Sequence, residues 1–233
     1  MATRAVRIVN QSSYHSAKID EAIALTGRAV ARQLRDVASA WGEYVWNVVD
    51  DARAQGFEVV LLDDSDAAGA LGYHDLGPDG RPYARVFVRG ILENGGTWLR
   101  GSNAVSTTVS HEICELVGDP TANHWVEKSS GTLVAAELCD PVEANAYTIT
   151  VGGRNVSVSD FVLPDWFNPF AAKGARLDHL GVLREPFTSA PDGYTLHHTR
   201  AGVRTVWGRR YPRWRRAAKR KPGSRTYTRT RLG

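Results

Sequence analysis

Several things are scarce in this 233-residue chain, and each scarcity excludes a class of protein. It has only two cysteines, Cys114 and Cys139, too few for the disulfide framework of a small secreted scaffold. No run approaches the roughly 20 apolar residues of a membrane span, and Met1 to Arg7 leads into a strand pattern rather than a secretory leader. The expectation is a chain made and folded in the cytoplasm, with no membrane partner. Acid is missing from one end. From Arg200 onward there are 13 Lys and Arg and no Asp or Glu, so a net charge of +4 divides into about −9 for the body and +13 for the tail. The remainder is ordinary, with 42% hydrophobic and 23% charged residues, which suits one globular domain over residues 1–199 followed by a basic extension over residues 200–233.

Hydrophobic periodicity predicts an α/β (α+β) body. Residues 4–10 alternate like a strand, and the apolar positions from Ile19 to Trp41 keep helical spacing, with Asp20 and Glu21 suited to the first turn. Tyr44–Val49 and Phe57–Leu62 read as strands, followed by a solvated acidic loop, Asp63 to Asp66. A hairpin follows, with Gly77-Pro-Asp-Gly80 as its turn between Gly69–Asp75 and Arg81–Val88. Ala146–Val151 and Asn155–Val158 form another, and Gly193–His198 is the last strand expected. The aromatic, proline-broken stretch Ser159–Phe170 reads as an ordered loop that packs against the core or walls a pocket, core packing being the favoured use. His197 and His198, adjacent in a strand, cannot both face one site and are taken as structural.

The chemistry concentrates in Val105–Pro120, a short helix carrying His-Glu-x-x-Glu and closed by Gly118-Asp119-Pro120. Residues four apart share a helix face, so His111 and Glu115 point at one spot while Glu112 leans over the same cleft. Two ligands one turn apart can grip a zinc ion, and an intervening glutamate can activate water as a general base. Glu115 stands where a second histidine would complete the commoner zinc-peptidase motif, and a carboxylate is a legitimate zinc ligand. Val105, Val109, Ile113, Leu116 and Val117 make the helix largely apolar, and carboxylates in such a segment need a partner.

A further protein ligand is required, and a carboxylate 20 to 30 residues downstream fits the layout. Glu137, Asp140 and Glu143 are the candidates. His124 and Cys139 are alternatives, the first more simply a turn residue and the second a packed small hydrophobe. Upstream, Tyr73 and His74 lie in the hairpin before the motif helix and are candidates to face the cleft and bind substrate. In the tail, Arg209, Arg210, Arg213, Arg215, Arg216, Lys219, Arg220 and Lys221 are interleaved with Tyr211 and Trp214. Such a segment has little aliphatic content to fold alone, and its cations and rings suit nucleic acid or an acidic protein surface.

Four stretches together resemble a group of zincin-like metallopeptidases associated with bacteriophage and actinobacterial genomes. They are Gly72-Tyr-His-Asp75 with Pro82-Tyr-Ala-Arg-Val-Phe-Val88, Ser110-His-Glu-Ile-Cys-Glu-Leu-Val-Gly-Asp-Pro120, Glu137-Leu-Cys-Asp-Pro-Val-Glu143, and Val158-Ser-Asp-Phe-Val-Leu-Pro-Asp-Trp-Phe167. The resemblance runs from about Val6 to Tyr194. It implies a zincin fold with His111 and Glu115 as metal ligands, Glu112 as general base and an acid of the 137–143 stretch completing the shell. Two functions follow as expectations. One is a zinc-dependent hydrolase acting on protein or peptide. The other is a virion or assembly protein that keeps the scaffold and uses its basic tail on nucleic acid or neighbouring subunits.

Overall fold

The computed structural model describes residues 4–41, 46–48 and 56–219, and the chain divides into two compact units. The first comprises Met1–Ser65, Leu71–Ala122 and Asn145–Ser159, and the second Asp66–Ala70, Asn123–Ala144 and Asp160–Gly233. Both are mixtures of helix and sheet.

In the first unit, strands β1 (Arg4–Asn10), β2 (Trp46–Val48), β3 (Gly56–Leu62), β4 (Gly72–Leu76) and β5 (Pro82–Phe87) form one sheet in the order β2-β1-β3-β5-β4. The first four in that order are parallel, and β4 runs antiparallel along the edge. Of the strand expected over Tyr44–Val49, Trp46–Val48 is present and the flanking positions lie outside the described residues. Helix α1 (Ala17–Trp41) buries Ala22, Leu25, Ala29, Val30, Leu34 and Val37, a stripe at helical spacing. Leu25 and Ala29 pack on Val151, Val156 and Val158 of the hairpin β8 (Ala146–Val151) and β9 (Arg154–Ser159). The acidic loop after β3 is tied down as well as solvated. Arg89, in helix α2 (Val88–Glu93), holds Asp64 at 2.6 and 2.8 Å, and the Ser13 amide donates to Asp63 at 2.8 Å.

Helix α3 (Val105–Gly118) carries the His-Glu-x-x-Glu motif and is buried from Val105 to Thr107 and from Val109 to Leu116. Its hydroxyls satisfy neighbouring backbone. Ser106 Oγ donates to the Ser157 carbonyl at 2.7 Å, and Ser110 Oγ accepts from the Ser159 amide at 2.7 Å. The Gln33 side chain of α1 donates to the Ser159 carbonyl at 2.7 Å. The N-terminal half of helix α3 is therefore tied to β9 at Ser106 and Ser110.

The second unit holds an antiparallel sheet in the order β11-β10-β7-β6, from β6 (Trp125–Ser129), β7 (Thr132–Ala135), β10 (Tyr194–Thr199) and β11 (Gly202–Trp207). Strand β11 was not expected. It lies inside what the charge pattern marks as basic extension, because Val203, Thr205 and Val206 have strand character that the surrounding arginines obscure. Helix α4 (Arg213–Lys219) follows. The core gathers Val134, Val142, Val162, Trp166, Leu177, Leu183 and Phe187, so the 159–170 stretch does serve packing. His197 is buried and bonds Thr195 Oγ1 at 3.0 Å, while His198 lies against Trp125.

Two aspartates close the loop after residue 159. Asp160 Oδ1 accepts from the amides of Phe161 at 2.9 Å and Leu180 at 3.1 Å, and Asp178 accepts from those of Val182 and Leu183. Both are fully buried. Burial, then the charge and hydrogen bond of Asp178, push the Asp160 carboxyl up to about 8. The folded chain thus keeps a proton that the unfolded chain sheds near pH 4. Stability from this group is complete below that pH and is lost as pH rises toward about 8. Asp160→Asn supplies the hydrogen permanently. Its denaturation midpoint should match wild type near pH 4 and exceed it increasingly up to about pH 8, by at most about 1.4 kcal/mol for each pH unit.

Candidate metal centre

The site grows from strand β4 and helix α3, which pack together although β5 and α2 separate them along the chain. His111 and Glu115, one turn apart, bring His111 Nε2 to 3.2 Å from Glu115 Oε1. The other carboxylate oxygen, Glu115 Oε2, lies 3.4 Å from His74 Nδ1, which reaches in from β4. Glu112 Oε2 is 4.0 Å from that same nitrogen. All four side chains are buried, with His74 only 2% and Glu112 and Glu115 4% exposed.

Burial alone would raise the Glu115 carboxyl, but His111 and then His74 hold it well below the usual carboxylate range. Glu115 is therefore an anion throughout the neutral range, as a metal ligand must be. Two ligands on one tetrahedral zinc, with bonds of about 2.0–2.1 Å, stand roughly 3.3 to 3.4 Å apart. Both Glu115 contacts match that edge, and imidazole with carboxylate is a donor set zinc accepts. Among the described residues, buried histidines and carboxylates that could hold a metal ion are therefore present.

Sequence reasoning placed His74 on the substrate side of the cleft. The structure places it against Glu115 and Glu112, among the candidate ligands. Alternation along β4 puts Tyr73 on the opposite face, where its hydroxyl accepts from Arg85 at 3.1 Å and its ring meets Tyr83 and Phe87. One feature escaped the sequence reading altogether. A Cβ on Gly72 would stand 2.7 Å from Glu112 Oε1 and 2.9 Å from its Cγ, so the bare backbone of β4 makes room for the Glu112 carboxylate. A Gly two residues before a candidate histidine was the available signal.

In the second unit, Glu137 follows β7 and Asp140 opens a 3-10 helix over Asp140–Val142, and both are buried. Cys114 and Cys139 are buried and share no disulfide, and His124 is exposed just before β6. Glu143, the third acid of that stretch, belongs to a different structure. Its Oε1 accepts from Arg215 at 2.7 Å and lies 3.9 Å from Lys219 Nζ. Lys219 also sits 3.9 Å from the Tyr194 ring centroid, and Arg216 lies 5.4 Å from that of Trp207. Arg210 pairs with Asp192 at 2.9 Å. Of the tail cations named as nucleic-acid contacts, Arg209 and Arg213 are exposed, while Arg220 and Lys221 lie outside the described residues. Arg215 and Lys219 are thus engaged by a carboxylate of their own chain.

No helix among the described residues is long and apolar enough to cross a membrane. The chain matches no family model, no curated protein and no solved structure.

Proposed function

We propose that this chain is a metal-dependent hydrolase with zinc as its ion and peptide bonds as its first substrate class, built on a zincin-like first unit. The observation that carries this reading is the buried Glu115 carboxylate met by His111 at 3.2 Å, with Glu112 on the same helix turn. The antiparallel edge strand β4 beside the motif helix supports the reading too, since zincin peptidases line their substrate cleft with such a strand.

In this scheme His111 and Glu115 hold the ion. Zinc bound there would polarise the scissile carbonyl and acidify a water. Glu112 accepts the proton from the attacking water and returns it to the leaving amine. Burial of Glu112 and Glu115 keeps bulk solvent from competing for those positions.

Elemental analysis of the purified chain supplied with zinc, alongside cleavage of a fluorogenic peptide library, tests the proposal. Bound zinc, with cleavage that a chelator abolishes and zinc restores, is the expected result. A wild-type protein that takes up no metal would remove the enzyme reading. Bound zinc without cleavage of any peptide would leave a metal protein and overturn the peptidase.

A further inference from the structure

Glu115 is used from both sides. Its Oε1 faces His111 Nε2 at 3.2 Å and its Oε2 faces His74 Nδ1 at 3.4 Å, so the two imidazoles address different oxygens of one carboxylate. Among the described residues, His74 and His111 fall in two distinct groups of candidate ligands, and Glu115 belongs to both. A single ion held by His111 and Glu115 would leave His74 facing the other oxygen with a ligand-to-ligand spacing that suits an ion of its own. His74 is also too deeply buried, at 2% exposure, to be a solvated loop histidine.

We propose that the centre holds two divalent cations bridged by Glu115, one with His111 and one with His74. The inference rests on the metal reading above and extends it. A bridging carboxylate sets two ions about 3.5–4 Å apart, the spacing at which a pair clamps the attacking and leaving oxygens of a hydrolysis. It also accounts for Glu112, whose Oε2 lies 4.0 Å from His74 Nδ1 and so on the side of the second ion. The four residues come from one unit of the chain and from two adjoining elements, β4 and α3, so the bridge requires no rearrangement within that unit.

Metal counting on the full chain tests this directly. With zinc alone, wild type should bind about two ions per chain, His74→Ala and His111→Ala about one each, and Glu115→Ala less than either. With manganese alone, the wild-type electron paramagnetic resonance spectrum should show exchange coupling between ions, replaced in each histidine variant by the six-line signal of an isolated ion. The manganese spectrum of wild type needs no variant to fold. One zinc per chain with an uncoupled spectrum would overturn the bridge and leave the mononuclear hydrolase standing. No metal under any loading would remove both. One zinc retained by His74→Ala and none by His111→Ala, with one in wild type, would return His74 to a supporting role and also defeat the proposal.

Discussion

Glu112→Gln should keep its zinc and lose its turnover, with kcat falling by about 10³-fold or more, the scale on which a positioned general base contributes. Gln preserves the shape of the side chain and its place under β4, so the loss reads out proton transfer rather than packing. Normal kcat in this variant would take Glu112 out of the reaction. A neighbouring change separates the group from its position. In Gly72→Ala the new methyl would meet Glu112 Oε1 at 2.7 Å, its Cγ at 2.9 Å and the Arg85 carbonyl at 3.0 Å. The carboxylate oxygen can swing away from such a contact, but the Cγ and the strand carbonyl have far less freedom. A displacement on the order of 1 Å costs up to about 10²-fold in rate, so this variant should lose about 10- to 100-fold in kcat while binding metal as wild type does. The two variants together distinguish an absent base from a misplaced one.

The motif helix was readable because two signals coincide there. His111 and Glu115 repeat at the helical period, and the apolar residues between them leave polar groups where a core is expected. Strands β1, β3, β8 and β9 were legible through alternation and glycine-bearing turns, and α1 through its stripe of buried aliphatics. What the sequence did not disclose is long-range. Nothing local tells that Leu25 of α1 packs against Val156 of β9, or that His74 reaches Glu115, 41 positions away along the chain. The role of His74 turns on strand alternation. In a five-residue edge strand a shift of one position exchanges it with Tyr73, and the sequence alone does not fix that register. The end of the body was hidden for a different reason. Lys and Arg dominate the composition after Arg200, and charge averaging over that stretch masks a six-residue strand and a seven-residue helix whose apolar and cationic groups have partners of their own.

Those partners make Glu143 the position where a single uncharged replacement should cost the second unit most. Its carboxylate takes Arg215 at 2.7 Å and Lys219 at 3.9 Å, with side-chain exposures of only 11% for the acid and 17% and 12% for the cations. Despite desolvation, the charge of Glu143 raises both cations above their ordinary values, and Tyr211 adds to it. Glu143→Gln leaves two positive charges buried against the rings of Tyr194 and Tyr211, and removing one partner of such a buried pair costs about 3–5 kcal/mol. Urea unfolding followed by tryptophan fluorescence should report that loss, for Trp207 lies 4.7 Å from Tyr211 in ring centroids within the same cluster. A change below about 1 kcal/mol would show that water reaches the cations and that the contact is a surface ion pair. The interaction also redefines how the tail must be tested for polyanion binding. Deleting everything from Gly208 removes Tyr211, Arg215 and Lys219 from their packing, so a loss of binding in that truncation would report damage to the unit. Deleting residues 220–233 keeps Tyr211, Arg215, Lys219 and Glu143 in the chain, so a fall in nucleic-acid affinity in that truncation would report the cations removed with it.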